Sequence, residues 1–222
     1  MFSLKDKYKR ISYSQCAEDL IINHIVSGRH EQLTYIDIGA NHPWKFNNTA
    51  YFYLKGFRGI NIEPDPYLFK LLKKHRDKDI NLNIGISTTP GNMDFYIMSS
   101  RTLSTFSKEE ADQLKKLHDC EIIEICKIPV NTIQNVINQY SKGKFPDLVS
   151  IDVEGFEFDI IKSIDFQGPI PKIICIETVS YSNTGYGIKN ESLISYIMSK
   201  GYMIYADTYI NTIFVLEKFW KK

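Results

Sequence analysis

Acidic side chains follow four segments of this sequence that are predicted to be strands, at the point where each strand ends. They are Asp37, Glu63, Asp152 and Glu177. The carboxyl ends of parallel strands meet at one edge of a sheet, where ligands bind. A buried carboxylate is costly unless something binds it. The four residues therefore predict one ligand-binding rim of carboxylates.

The loop after the first of these strands distinguishes between possible ligands. A dinucleotide fold needs three glycines there, whereas this loop has Gly39 followed by Ala40 and Asn41. The carboxylate of Asp37 would also repel a phosphate. Glu63, on the next strand, can accept hydrogen bonds from both hydroxyls of an adenosine ribose. An adenosyl ligand without phosphate is S-adenosylmethionine, and we expect Asp37 and Glu63 to hold it.

The elements that must position these residues alternate between strand and helix. Apolar periodicity predicts helices at 48–55, 67–76, 108–118, 157–164 and 192–200. It predicts strands at 34–38, 59–62, 80–86, 94–98, 122–130, 147–153 and 172–178, and a terminal hairpin at 202–206 and 213–216. This alternation indicates a mainly parallel sheet covered on both faces. We expect a single domain over 1–222 with a short N-terminal helical segment.

The composition excludes several classes of protein. The chain has 222 residues, of which 43% are hydrophobic and 24% charged, as in a globular domain. Its formal charge of +1 indicates no excess of basic residues of the kind that binds nucleic acid. Apolar runs stop short of the roughly 20 residues that cross a bilayer, and 1–10 holds no signal peptide. We therefore expect a cytoplasmic protein, in which the scattered Cys16, Cys120, Cys126 and Cys175 are reduced thiols.

Four motifs, taken in chain order, resemble those of the FkbM-type S-adenosylmethionine-dependent methyltransferases. They are SQCAED at 14–19, DIGAN at 37–41, GINIEP at 59–64 and SIDVEGFE at 150–157. The resemblance spans about 11–178. It implies the α/β class I methyltransferase fold, a Rossmann-like three-layer sandwich with a seven-stranded sheet in the order 3-2-1-4-5-7-6 and an antiparallel last strand. The hairpin predicted at 202–216 fits that ending.

The resemblance also implies an activity and a set of cofactor-binding residues. Such enzymes commonly O-methylate hydroxyls of sugars, polyketides and other secondary metabolites, often in capsule or polysaccharide pathways. The cofactor positions that it implies are Gln15, Glu18, Asp37, Gly39, Asn41, Glu63 and Asp152. One segment departs from the family pattern, because HPW at 42–44 and NNT at 47–49 stand where a glycine or small polar residue is usual.

A hydroxyl acceptor must lose its proton, so a general base or a hard metal ion should lie near the methyl group. The candidates are His42, Asp152, Glu154 and Glu177. An unperturbed imidazole titrates near neutral pH, which favours His42 as a base. Asp152 and Glu177 offer the oxygen ligands that magnesium or calcium prefers, but two carboxylates are a weak metal signature, and no metal ligand is assigned. Glu157 and Asp159 are predicted to face solvent or to cap the following helix.

Aromatic residues and a polar loop are candidates for acceptor binding. Rings near the same sheet edge are Trp44, Phe46, Tyr51, Tyr53, Tyr181 and Tyr186, and 181–189 is a candidate substrate lid. We expect the partner to be a small molecule, a sugar nucleotide or a glycan. The alternatives are a methyltransferase for an amine, phosphate or carboxylate, a nonenzymatic nucleoside- or glycan-binding module, and a nicotinamide-dependent oxidoreductase, which the missing glycines disfavour.

Overall fold

The computed structural model describes residues 8–27, 33–117, 120–179 and 187–221, which form two sheets flanked by helices. The strands are β1 (Thr34–Ile38), β2 (Arg58–Ile62), β3 (Ile80–Leu82), β4 (Gly85–Ile86), β5 (Gly91–Met98), β6 (Ile122–Asn131), β7 (Leu148–Ile151), β8 (Ile173–Glu177), β9 (Tyr202–Asp207) and β10 (Asn211–Leu216). The helices are α1 (Glu18–Val26), α2 (Ala50–Leu54), α3 (Pro66–His75), α4 (Lys108–Leu117), α5 (Ile133–Ser141), α6 (Glu157–Lys162), α7 (Glu191–Ser199) and α8 (Glu217–Trp220).

The larger sheet has seven strands in the order β3-β2-β1-β7-β8-β10-β9. β10 runs antiparallel to both β8 and β9, and the other neighbouring pairs are parallel. Counted along this sheet alone, the order is 3-2-1-4-5-7-6. The predicted class I methyltransferase fold with an antiparallel last strand is therefore confirmed.

Helices cover both faces of this sheet because successive residues of a strand point to opposite faces. Tyr35 of β1 packs with Ile22 of α1, whereas Ile36 packs with α5 on the other side. Helix α5 was missed by our reading of the sequence. Its signals were Thr132, whose side chain accepts a hydrogen bond from the Asn135 amide, and buried apolar residues at three- and four-residue spacing.

The smaller sheet, in the order β4-β6-β5, corrects one predicted element. The strand predicted at 80–86 is wrong as a single element, because β3 pairs with β2 in the larger sheet while β4 pairs with β6. Between them, the Asn83 side chain donates to the backbone carbonyls of Glu63 and Pro64, at 2.9 Å each, and ends the pairing. The smaller sheet thereby lies beside the end of β2.

Two further expectations concern membranes and cysteines. Among the described residues, no helix is long and apolar enough to cross a membrane. All four cysteines are free thiols, as their scattered spacing predicted.

Candidate active site

The loop after β1 fixes three strand ends relative to one another. Gly39 has a φ of +80°, and a Cβ added there would lie 1.7 Å from the carbonyl oxygen of Asp152. The amides of Gly39 and Ala40 both donate to the carbonyl of Ile62 at 3.0 Å, and the amide of Asp152 donates to that of Ile38. Only glycine fits this close approach, because any side chain would meet backbone. The ends of β1, β2 and β7 are thus held together.

Glu63, at the end of β2, is 4% exposed and holds the loop as well. Its Oε2 accepts a hydrogen bond from the Asn41 amide at 2.6 Å, and its Oε1 accepts one from the Asp65 amide at 2.8 Å. Burial raises the pKa of Glu63, and these two amide hydrogen bonds oppose the rise. A carboxylate has about four acceptor sites, so Glu63 can still accept from a ligand.

Glu63 lines a cleft, called here the inner cavity, between the ends of β1, β2 and β7 and the smaller sheet. The cleft encloses about 600 Å³ including its open mouth. Its walls combine carboxylates with apolar side chains, among them Ile62, Leu68, Ile86, Phe95, Phe106 and Phe156.

The inner cavity fits an adenosyl group better than a phosphate. A carboxylate for ribose hydroxyls and apolar walls for a flat base are both present. Among the described residues lining this cavity, Arg101 is the one cation, and its guanidinium is paired with the carboxylate of Asp65. A phosphate would therefore meet carboxylates and no unpaired cation.

A second cleft, the outer cavity, opens above the ends of β7 and β8. It encloses about 1100 Å³ including its mouth, and Gln15, Phe46, Glu177 and Tyr209 are among its lining residues. Four residues line both cavities, and they are Asn41, Thr102, Asp152 and Glu154. The two clefts therefore meet at the carboxylates that follow β7.

Three carboxylates cluster at or beside this junction. Asp152, Glu157 and Glu177 each offer an oxygen, and these oxygens lie within 4.8 Å of one another. Burial raises the pKa of Asp152 and of Glu177, and repulsion from the neighbouring carboxylates raises both further. Such a cluster can keep a shared proton or bind a divalent cation through hard oxygen ligands.

Glu157 is the member of this cluster that sequence reasoning misplaced, since it was expected to face solvent or to cap the following helix. Its carboxylate instead accepts hydrogen bonds from the amides of Val153 and Gly155, in the loop before α6. That bond pattern turns the side chain back toward Asp152. Asp159, predicted with it, is exposed.

Glu154, the remaining carboxylate at the junction, has a strained backbone conformation. Its φ is +55°, and its carbonyl accepts a hydrogen bond from Thr105 Oγ1 at 2.8 Å. Burial raises the pKa of Glu154 well above its ordinary value, and the charge of Asp152 adds to the rise. Left-handed backbone at a non-glycine residue costs about 1–3 kcal/mol and is concentrated at functional sites.

His42 is not brought together with these carboxylates. Its Nδ1 accepts hydrogen bonds from the amides of Trp44 and Lys45, both at 3.1 Å, and the residue lines neither cavity. Burial lowers the pKa of His42, and the positive charges of His75 and Lys45 lower it further. The geometry gives no support to the predicted base, since His42 caps its own loop.

Glu18 also lies outside both cavities, whereas Gln15 of the same motif lines the outer one. The buried Glu18 Oε1 accepts hydrogen bonds from Thr208 Oγ1 at 2.7 Å and from Asn211 Nδ2 at 3.0 Å. Glu18 therefore ties α1 to the turn between β9 and β10, which carries Tyr209, and its effect on a ligand is indirect.

Asp37 lies beneath the loop, not in a cavity. Thr49 Oγ1 donates to its carboxylate at 2.7 Å. Burial raises the pKa of Asp37, and the hydrogen bond from Thr49 and the charge of Arg76 oppose the rise. The fully buried Arg76 also donates to Asn47 Oδ1, and Asn47 Nδ2 donates to the carbonyl of Ala40. The segment at 47–49 thus supports the loop from below, a role that sequence reasoning had left open.

The aromatic residues predicted to bind the acceptor also differ in position, since some line a cavity and others do not. Trp44 packs against Tyr13 and Tyr53, at ring-centroid distances of 6.4 and 6.0 Å. Phe46 lines the outer cavity. Tyr181, Tyr186 and the lid predicted at 181–189 lie outside the described residues, except for 187–189.

The substitution Glu63→Ala is expected to weaken binding of S-adenosylmethionine at least tenfold, about 1.4 kcal/mol for a buried charged hydrogen bond. Calorimetric titration measures this loss. The variant also disturbs the loop amides, so a second comparison isolates the ribose contact. The parent protein should bind adenosine more tightly than 2′,3′-dideoxyadenosine, and Glu63→Ala should bind the two equally. An unchanged preference in the variant would contradict the assignment.

Comparisons with known proteins give a family match. Residues 37–203 match the family described as the methyltransferase FkbM domain. A comparison with curated protein sequences finds no match. The chain is similar to a TehB-like SAM-dependent methyltransferase from Corynebacterium glutamicum, with 9% identity, a TM-score of 0.43, and 96% of this chain and 92% of that chain covered. It is also similar to a precorrin-6y C5,15-methyltransferase from Geobacter metallireducens, with 12% identity, a TM-score of 0.43, and coverage of 94% and 92%.

The family match spans most of the chain and includes the loop after β1, Glu63 and the carboxylates after β7. These are the residues that build the inner cavity and its junction with the outer one. The chain therefore belongs to the FkbM methyltransferase family, and it is a methyltransferase of the S-adenosylmethionine-dependent type.

Proposed function

We propose that this enzyme methylates a hydroxyl group of a sugar or glycan precursor, in polysaccharide, capsule or secondary-metabolite biosynthesis. The observation that carries the proposal is the junction of the two cavities at Asp152 and Glu154. A methyl donor in the inner cavity and an acceptor in the outer cavity would meet there. The place in biosynthesis rests on the family resemblance.

The residues at the junction suit a hydroxyl acceptor. S-adenosylmethionine supplies a methyl group that is already activated on a positively charged sulfur, so positioning provides much of the rate. Glu63 and the apolar walls orient the donor in the inner cavity. Asp152 and Glu177 would accept hydrogen bonds from the acceptor hydroxyl and take up its proton as the bond from oxygen to the methyl carbon forms. The methyl–sulfur bond would break in the same step, with S-adenosylhomocysteine as the leaving group.

The charge of the outer cavity disfavours some of the alternative acceptors. The described carboxylates that line it are Asp152, Glu154 and Glu177. A phosphate or carboxylate acceptor would approach like charge at its reacting end, which costs free energy. An uncharged hydroxyl meets no such repulsion, and it donates the hydrogen bond that a carboxylate can accept.

The test is methyl transfer from isotope-labelled S-adenosylmethionine to a panel of methyl glycosides, nucleotide sugars, amines and small carboxylic acids. We expect a labelled methyl ether on a sugar carbon, identified by mass spectrometry and carbon NMR. Transfer only to amines or carboxylates would contradict the hydroxyl assignment. Binding of S-adenosylmethionine with no transfer to any member of the panel would favour a binding module that retains the fold.

A further inference from the structure

Two aromatic residues that line the outer cavity have left-handed backbone. Phe46 has a φ of +53° and Tyr209 a φ of +76°. For bulky residues this conformation is an outlier, and it costs about 1–3 kcal/mol at each position. Both side chains nevertheless remain exposed, at 48% and 44%. Burial of the rings therefore does not offset the strain.

Hydrogen bonds to neighbouring segments hold both residues in this conformation. Next to Phe46, the amide of Asn47 donates to the carbonyl of Tyr13 at 2.9 Å. The amide of Tyr209 donates to Asp207 Oδ1 at 2.7 Å, and its hydroxyl donates to the carbonyl of Gly187 at 3.3 Å. The positions of Phe46 and Tyr209 are thus fixed by hydrogen bonds, and both residues line the cavity. Strain that the surrounding structure imposes is typical of functional sites.

The rings and the carboxylates of this cavity offer complementary contacts. Phe46 and Tyr209 supply apolar ring faces, whereas Asp152, Glu154 and Glu177 supply hydrogen-bond acceptors. A pyranose ring has the matching surface, because its C–H groups form an apolar face and its hydroxyls project from the edge. A few polar groups that fix orientation within apolar walls are characteristic of small-molecule sites.

We infer that Phe46 and Tyr209 form the walls of the acceptor subsite and hold the apolar face of an uncharged, hydroxyl-bearing ring. This inference rests on the proposed function, for which it names the residues that select the acceptor. The hydroxyls of that ring point to Asp152, Glu154 and Glu177. Tyr209, on the turn between β9 and β10, carries no motif that the sequence would reveal.

A lysine side chain beside Phe46 opposes a positively charged acceptor. Lys45 Nζ lies 4.9 Å from the centroid of Phe46. Lys189 Nζ lies 5.7 Å from the centroid of Tyr209, but its charge is paired with Asp207 at 2.8 Å. An ammonium group on the ligand would therefore meet like charge at Phe46, which favours a neutral ring over an amino sugar.

The inference is tested by saturation-transfer NMR on the full chain with S-adenosylhomocysteine present. The probes are methyl α-D-glucopyranoside, methyl α-L-rhamnopyranoside and methyl α-D-glucosaminide. Phe46→Ala and Tyr209→Ala should each weaken binding of the neutral glycosides by about tenfold, the size of an aromatic contact. Tyr209→Phe keeps the ring and loses only the hydrogen bond to Gly187, so it should weaken glycoside binding less than Tyr209→Ala. Leu54→Ala, which removes an apolar side chain that is 54% exposed elsewhere, is the control and should change nothing.

The possible results separate this inference from the proposed function. Calorimetry should show that both alanine variants bind S-adenosylmethionine within twofold of the parent. Unchanged glycoside binding in Phe46→Ala and Tyr209→Ala would overturn the subsite even if methyl transfer to a sugar occurs. Absence of neutral-glycoside binding to the parent, or tighter binding of the glucosaminide, would overturn it as well. Failure of the parent to bind S-adenosylmethionine would instead contradict the function.

Discussion

Gly39→Ala is expected to weaken binding of S-adenosylmethionine by a hundredfold or more. The new methyl group would lie 1.7 Å from the Asp152 carbonyl oxygen, so the loop or the end of β7 must move. Movement of the loop also breaks the hydrogen bonds from Gly39 and Ala40 to Ile62, which hold the end of β2. Glu63 then loses its place in the inner cavity. Calorimetric titration of the folded variant measures the effect.

Gly56→Ala is the matched control for backbone strain. Gly56 has a φ of +93°, close to that of Gly39, but a Cβ there would have no atom within 4 Å. Both substitutions lower the free energy of unfolding by about 1–2 kcal/mol, because alanine disfavours left-handed backbone. Only Gly39→Ala adds a clash. In urea, Gly56→Ala should lower the free energy of unfolding by about that strain and keep its cofactor affinity. Equal affinities in the two variants would show that the loop does not form the site.

Elements with strong local signals could be predicted from the sequence. β7 and β8 are continuous apolar runs, and α3 begins at a proline with Asp65 capping it, so both types of element follow from local chemistry. The division of 80–86 between two sheets could not be predicted, because alternation indicates a strand without identifying its partner. That choice depends on Asn83, whose partners lie in the segment after β2.

The residue types of the candidate site could be predicted from the sequence, but the directions in which their side chains point could not. The strand-end rule located the carboxylates that line the cavities, Glu63, Asp152 and Glu177. It could not show that Asp37 faces Thr49 or that Glu18 faces Asn211, because these partners come from other elements. Glu157 was misplaced because a carboxylate at the start of a helix is usually solvated or caps it, whereas here loop amides hold it near Asp152.

The pair formed by Asp152 and Glu177 should control turnover. An oxygen of each carboxyl group lies within 4.8 Å of one of the other, and burial and mutual repulsion raise both pKa values. A pair of this kind keeps one proton near neutral pH, and its singly ionised form can accept the proton of a hydroxyl. Turnover should therefore rise as pH increases through the ionisation that produces this form.

Asp152→Asn and Glu177→Gln should each reduce turnover by roughly 10²- to 10⁴-fold, measured as kcat at saturating cofactor. Each change also leaves a single carboxyl group, so the second ionisation of the pair, which mutual repulsion raises, should be absent from the pH profile. Asp159→Asn, which neutralises an exposed carboxylate on α6, is the control and should keep both turnover and profile. Equal profiles in all three variants would contradict a shared proton.

A divalent cation bound by the same cluster would give a different set of results. Glu157 would then be a third ligand beside Asp152 and Glu177, so Glu157→Gln should be as damaging as the other two substitutions. A chelator should abolish turnover of the parent, and added magnesium should restore it, because a Lewis acid lowers the pKa of the bound hydroxyl. If the pair acts as a base without metal, the parent is insensitive to chelator. If turnover persists both in the presence of chelator and in the substituted variants, these carboxylates do not remove the proton.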